Sequence, residues 1–339
     1  MIPELTQLET INQELETSSN LTRSDLLERN LIRESQEAVY RVGSTNGPGQ
    51  QLPFTKLYLP MACTGILEPK KAVDETHRAI QILLPGTGTT FSVAETLCDV
   101  AGTFHGRKSK NRGAGRKTSQ SLLAQVLPDG ENFRVASFPT DLPLNGMGTG
   151  APFEFADKTG LMLVLRHVHL ILAHLYPNRP VFVVGRSQGG IAAILYAQSC
   201  PDVAGAIAVN PPHPDPILFD FTIKYLEDKA SILADLLHAP GVSLHQQSWD
   251  AYKTFTPSFD YPAHPSLAPI LTFVSLGDPF NLFPEYAEAQ KEFAEKDEKN
   301  QVHILDAGHN LWDRKQEETY QQVISLHAQF VLTQLSSRQ

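Results

Sequence analysis

Short apolar runs alternate with stretches of helical periodicity from about residue 55 to the end of the chain. The apolar runs lie at 56–59, 79–84, 133–138, 181–185, 205–209, 270–276 and 302–305. Apolar residues recur with a helical period at 92–104, 161–176, 189–198, 284–296 and 316–335. Nearly continuous apolar strands, each followed by a helix, are typical of a parallel sheet that is covered on both faces. We therefore predict an α/β fold with a mostly parallel central sheet and helices on both of its faces.

The first 50 residues form a separate unit in this pattern. Thr22 and Asp25 have the spacing of a capping box, and Leu27, Leu31, Ala38 and Val39 lie roughly on one helical stripe. Residues 43–51 are rich in turn-forming residues and interrupt the pattern. We predict a helical N-terminal leader over residues 1–50, packed on the outside of the main domain.

Residues 211–268 separate two predicted strands by far more than the usual few residues. They begin with several prolines, and a helical pattern follows at 219–237. The interpretation is a helical cap insertion, which divides the α/β core into residues 51–210 and 269–339. Such a cap would lie above the carboxyl ends of the strands and line an apolar pocket, or else pack only its own small core.

Composition narrows the possible partners of this 339-residue chain. A net charge of −9 gives no overall attraction to nucleic acid. A basic segment at 107–117 could bind an anionic group, although a solvated insertion is the simpler interpretation. The longest apolar stretch, 161–175, is too short to span a bilayer, and the N-terminus lacks the pattern of a secretory signal. We expect a soluble, cytoplasmic protein without a stable membrane span.

Neither the cysteines nor the histidines have the spacing of a metal site. Cys63, Cys98 and Cys200 are far apart and odd in number, so neither a disulfide framework nor a zinc site is expected. His167 and His169 lie on a predicted helix without carboxylates at ligand spacing. No metal and no cofactor is predicted.

The strongest chemical signal is the sequence Gly185-Arg186-Ser187-Gln188-Gly189, which has the pattern G-x-S-x-G. An apolar strand leads into it and a helical pattern follows. A serine held on a tight strand-to-helix turn needs neighbours without a Cβ two positions away, and Gly185 and Gly189 meet this need. Ser187 is therefore a candidate nucleophile. The sequence offers no account of Arg186.

With this motif the chain resembles the α/β-hydrolase superfamily of serine esterases and lipases, and the resemblance covers about residues 55–335. It implies an oxyanion hole formed by the backbone N–H groups of Thr87 and Gln188. Thr87 lies in a glycine-rich loop after the strand at 79–84. Pro85 stands where the family often has histidine, which leaves both donors in place.

The resemblance also implies the other two members of a catalytic triad. Asp278 follows the strand at 270–276 and Gly277, and it would be the acid. Asp215 is a rival, because some members carry the acid after the preceding strand. His309 follows Gly308 after the last predicted strand and would be the base. The order Ser187, Asp278, His309 is that of this fold.

These residues predict a serine hydrolase that cleaves an ester or related acyl bond through an acyl-serine intermediate. Its substrate would be a small, apolar acyl compound. Two alternatives remain open at this level. The same triad could serve an acyltransferase, and an α/β-hydrolase fold could also belong to a non-catalytic binding protein.

Overall fold

The structure is a computed structural model that describes residues 5–41, 50–68, 73–84, 134–140, 158–211, 265–278, 285–308 and 317–338. The helices are α1 (Leu5–Thr17), α2 (Arg23–Glu28), α3 (Lys158–Leu175), α4 (Gln188–Ser199), α5 (Glu285–Glu295) and α6 (Glu317–Ser336). The strands are β1 (Arg33–Arg41), β2 (Gln50–Leu59), β3 (Thr64–Leu67), β4 (His77–Leu84), β5 (Arg134–Pro139), β6 (Val181–Arg186), β7 (Gly205–Val209), β8 (Ile270–Gly277) and β9 (Gln301–Gly308). A 3₁₀ turn spans Pro60–Ala62.

Six strands form a central sheet in the order β5-β4-β6-β7-β8-β9. Every neighbouring pair in this sheet is parallel. Strands β6 and β7 are buried along almost their whole length, as expected for inner strands covered on both faces. The predicted α/β architecture with a parallel central sheet is confirmed.

The two faces of the sheet carry different helices. Along β4, Ile80 and Ile82 join the core that contains α3 and α4, whereas Ala79 and Leu83 join the core that contains α6. Alternate residues of a strand point to opposite faces, so one apolar run supplies both cores. The prediction of helices on both faces is confirmed, and the carboxyl ends of all six strands meet at one edge.

The N-terminal helices pack on the outside of the core, as predicted. Asn12 of α1 donates from Nδ2 to the carbonyl of Leu163 at 3.0 Å, and its Oδ1 lies 2.8 Å from Nδ1 of His167 on α3. Thr22 caps α2, and Asp25 reaches back to the Thr22 amide at 2.7 Å, which completes the predicted capping box. Residues 5–28 are therefore a docked helical element.

The prediction that the helical leader extends to residue 50 is wrong. Helix α2 ends at Glu28, Asn30 has a φ of 55°, and residues 33–41 form strand β1, antiparallel to β2. Ala38 and Val39 therefore lie on a strand and share no helical stripe with Leu27 and Leu31. The partner strand satisfies the backbone groups of β1, and the pattern of a single segment does not show such a partner. A boundary at residue 50 would separate two paired strands.

Strand β3 was also not predicted. It pairs with β2 in an antiparallel three-stranded sheet of order β1-β2-β3. An antiparallel bridge between Ile66 and Thr140 joins this small sheet to the end of β5.

Three predicted segments lie outside the described residues. They are the helix at 92–104, the basic segment at 107–117 and all of the cap except residues 211 and 265–268. Within the described ranges, no helix has the length and apolar character needed to cross a membrane.

Candidate active site

Ser187 occupies a sharp turn between β6 and α4. Its backbone has φ 53° and ψ −123°, in the left-handed half of conformational space that a serine rarely adopts. The Ser187 amide donates to the carbonyl of Val209 at 2.8 Å, which ties the turn to the end of β7. The predicted strained strand-to-helix turn is confirmed in the backbone.

Close packing of the backbone explains why this turn needs glycine. A Cβ added to Gly185 would lie 1.8 Å from the carbonyl oxygen of Gly189 and 2.7 Å from the amide nitrogen of Gly190. No side chain fits at such distances. A Cβ on Gly190 would lie 3.3 Å from Cβ of Pro211, so this glycine also allows a close approach. Any side chain at position 185 would force β6 and α4 apart.

The first turn of α4 points its amide groups toward the serine. The Ser187 carbonyl accepts from the amides of Gly190 and Ile191 at 2.8 and 3.2 Å. Within the described part of the chain, the Ser187 hydroxyl makes no capping bond to this helix. Gln188, the first residue of α4, is buried. A helix N-terminus favours negative charge, which suits the predicted oxyanion donor at Gln188. Thr87 lies outside the described residues.

Asp278 lies directly after β8 and is only 3% exposed. Its amide donates to the carbonyl of Ser275 at 3.3 Å. The preceding residue, Gly277, is the cross-strand partner of Gly308 at the end of β9. His309 follows Gly308 in the sequence but lies outside the described residues, as does the rival acid Asp215. The contact between Asp278 and His309 therefore stays a prediction.

Asn210 connects the strand that holds Ser187 in place to the strand that carries Asp278. It follows β7, is 2% exposed and has a φ of 45°. Its amide donates to the carbonyl of Phe273 at 2.8 Å, and its Oδ1 accepts from the amide of Ser275 at 2.8 Å. The sequence analysis did not identify this residue. A polar residue directly after an apolar strand, at the edge where the site is built, was the available signal.

Arg186, which the sequence left unexplained, interacts electrostatically with Asp278. It continues the alternation of Phe182 and Val184, so it leaves β6 on the face that packs against α6. Burial lowers the pKa of Arg186 to about 10, and the negative charge of Asp278 opposes that shift. The residue before the serine therefore places a positive charge close to the carboxylate.

The other described histidines lie in packed positions. His303 on β9 stacks on Phe273 with ring centroids 5.9 Å apart. Burial lowers the pKa of His167 and of His169 to about 4. Nδ1 of His169 lies 2.8 Å from the hydroxyl of Tyr196. Among the described residues, no group of three His, Cys, Asp or Glu side chains could hold a metal ion.

Cys200 is buried directly after helix α4. It is 5% exposed, and Cys63 and Cys200 are both free thiols. The sulfur of Cys200 accepts from Nη1 of Arg166 at 3.2 Å. Cys98 lies outside the described residues.

The parallel sheet and the strand-to-helix turn at Ser187 agree with the comparison of the sequence with known families. The chain matches the profile of the Alpha/beta hydrolase family from residue 82 to residue 322, well over half of its length. It belongs to the alpha/beta hydrolase family. A comparison with curated proteins gives no significant match.

Solved structures share the fold of this alpha/beta hydrolase at low sequence identity. A carboxylesterase from the thaumarchaeon Nitrososphaera gargenis is 15% identical, with a TM-score of 0.50 over 82% of this chain and 99% of its own. The protein DcsB, solved in complex with its substrate analogue, is also 15% identical, with a TM-score of 0.51 over 89% of this chain and 99% of its own. At this identity the comparison establishes a common fold and leaves the activity to be argued from the site.

Proposed function

We propose that this alpha/beta hydrolase is a serine hydrolase that cleaves an ester or a related acyl bond, with Ser187 as its nucleophile. The backbone of Ser187 carries this proposal. A serine with φ 53° between a strand and a helix has a strained backbone. The close contact between Gly185 and Gly189 leaves no room for a residue with a side chain at position 185. Strain of this kind persists where surrounding structure enforces it, and it is concentrated at functional sites.

In the proposed mechanism, the Ser187 hydroxyl attacks the acyl carbonyl carbon while His309 accepts its proton. The carbonyl oxygen becomes an oxyanion, which the amides of Gln188 and Thr87 would stabilise by hydrogen bonds. The dipole of α4 favours the same negative charge. His309 then protonates the leaving group. In the second half of the reaction, water attacks the acyl-serine while His309 accepts a proton from the water, and His309 then returns this proton to the Ser187 oxygen as it leaves.

The assignment of Asp278 as the acid is supported by its burial and by its position. A buried carboxylate requires partners, and a histidine that becomes positively charged during the reaction is a suitable one. The pairing of Gly277 with Gly308 brings together the two strand ends from which Asp278 and His309 follow. Asn210 and its two hydrogen bonds to β8 would hold this strand end in place.

The substrate is proposed to be an apolar acyl compound, on the basis of the apolar residues in the predicted cap. The cap would select the acyl chain without taking part in the chemistry. Transfer of the acyl group to an acceptor other than water would use the same residues, so it differs from hydrolysis only in the product formed.

Labelling with a fluorophosphonate probe tests the proposal directly, because the probe reacts with an activated serine. We expect the native protein to be labelled and Ser187→Ala to lose labelling. Ser199→Ala is the matched control, because the Ser199 hydroxyl donates to the helix carbonyl of Leu195 at 2.9 Å. Labelling that survives in a folded Ser187→Ala variant would remove Ser187 from the mechanism. No labelling of the native protein would favour a non-catalytic role for the fold.

A further inference from the structure

Three polar side chains meet inside the core on the α6 face of the sheet, away from the catalytic edge. Gln81 on β4 and Ser137 on β5 are direct cross-strand partners, so their side chains leave the sheet side by side. His327 reaches Gln81 from α6, with its Nε2 2.9 Å from Nε2 of Gln81. Gln81 and His327 are 246 positions apart in the sequence, so the tertiary fold alone brings them together.

The cluster is sealed from solvent. Gln81 is 1% exposed, Ser137 is fully buried and His327 is 3% exposed. The same core contains the apolar side chains of Leu83 on β4 and Val323 on α6. A polar group in such surroundings loses its hydration, and it destabilises the fold unless a hydrogen bond replaces the lost water.

Hydrogen bonds within the protein do not meet the needs of this cluster. Among the described residues, Gln81 Oε1, Ser137 Oγ and His327 Nδ1 have no hydrogen-bond partner. If the Gln81 amide donates to His327 Nε2, the neutral ring carries its proton on Nδ1, which then lacks an acceptor. If the amide is turned by 180°, its NH₂ group lacks an acceptor and the ring Nδ1 lacks a donor. Neither arrangement supplies a partner for the Ser137 hydroxyl.

We infer that Gln81, Ser137 and His327 form a binding site for an internal water molecule, which bridges the Ser137 hydroxyl and the Gln81 amide. Water fits because the unpaired groups include both donors and acceptors, and because one water molecule can donate and accept hydrogen bonds at the same time. An ion fits poorly. Burial lowers the pKa of His327 to about 4, so the ring is neutral near pH 7 and the cluster offers no charge to balance an ion.

This site would join two parts of the fold that lead to the catalytic edge. Strand β4 runs into the segment that contains Thr87, and α6 follows the segment that contains His309. The water would therefore hold β4, β5 and α6 against one another on the α6 face of the sheet. The inference itself rests on the buried polar atoms and does not depend on the proposed function.

The sign of one substitution distinguishes a hydrated site from a dry one. If a water bridges Ser137 and Gln81, Ser137→Ala removes a hydrogen bond, and we expect Tm to fall by about 2 °C. If the site is dry, Ser137→Ala removes an unsatisfied hydroxyl, and Tm should stay the same or rise. Ser266→Ala provides the scale, because the buried Ser266 hydroxyl accepts from Asn300 Nδ2 at 3.2 Å and its loss should lower Tm in either case.

A crystal structure of the native protein at about 1.5 Å resolution gives the second measurement. The expected result is a water within hydrogen-bond distance of Ser137 Oγ and of the Gln81 amide, at about 2.7–3.2 Å. Clear density for the side chains without a water between them would overturn the inference. An unchanged or higher Tm for Ser137→Ala, with Ser266→Ala behaving as described, would overturn it as well.

Discussion

The ends of β6 and β8 each present one predicted catalytic residue, but they are held in place in different ways. At the end of β6, the close backbone contacts that enforce the conformation of Ser187 lie between Gly185 and Gly190, and one hydrogen bond to Val209 of β7 adds to them. At the end of β8, Asp278 depends on partners that are distant in the chain, namely Gly308 on β9 and Asn210 after β7. The proposed nucleophile is therefore positioned mainly by local sterics, and the proposed acid by pairing between strands.

The largest expected effect is on the chemistry of the β6 end. Ser187→Ala should reduce kcat by ~10⁴ to 10⁶-fold without unfolding the protein, because it removes the nucleophilic oxygen and keeps the backbone. His309→Ala should cost about as much, and the double variant little more, since the two residues act as a unit. Steady-state kinetics on p-nitrophenyl esters measure this. Losses that add would show that the two residues act separately.

The acid at the β8 end should matter somewhat less. Asp278→Asn should lower kcat by up to ~10⁴-fold, because the amide cannot hold the histidine in its required tautomer. Fluorophosphonate labelling should then be slow and still detectable. Asp215→Asn is the matched comparison and should retain most activity. If Asp215→Asn is the more damaging of the two, the acid follows β7 and Asp278 is a structural residue.

Local sterics at the β6 end can be tested with one methyl group. Gly185→Ala places a Cβ 1.8 Å from the Gly189 carbonyl oxygen, so the turn cannot keep its geometry. We expect a loss of about 3–5 kcal/mol in the free energy of unfolding, together with loss of probe labelling. Denaturant unfolding and labelling of the same sample measure both. A stable, fully labelled variant would mean that the turn at Ser187 does not depend on the close contact between Gly185 and Gly189.

The same methyl group should have a smaller effect at the β8 end. A Cβ on Gly277 would lie 2.9 Å from the Ala307 carbonyl oxygen, so Gly277→Ala must shift β8 against β9, at a cost of about 1–2 kcal/mol. Among the described residues beyond its chain neighbours, the atom nearest to a Cβ on Gly308 is the Gly277 carbonyl oxygen at 3.9 Å, and Gly308→Ala should change stability by less than about 0.5 kcal/mol. Thermal unfolding of both variants compares them. Equal effects of the two substitutions on stability would show that the close contact between Gly277 and Ala307 does not determine the stability of the β8–β9 pair.

The sequence by itself was sufficient for the local features of this protein. The inner strands β4, β6, β7 and β8 follow from apolar runs, because a strand covered on both faces needs mostly apolar residues. The turn at Ser187 follows from glycines within two residues of it. The capping box of Thr22 and Asp25 is equally local. In each case the cause and the effect lie within one short segment, where a sequence pattern can show both.

Only the tertiary structure decided the features that depend on a distant partner. Residues 33–41 became strand β1 because β2 satisfies their backbone groups, and nothing in their own pattern required this. Asn210 became the link to β8, and Arg186 acquired its proximity to Asp278, through the order of the strands. Gln81 and His327 meet for the same reason. Short-range sterics and hydrophobic periodicity act along the chain, whereas hydrogen-bond pairing and burial depend on which segments the folded chain brings into contact.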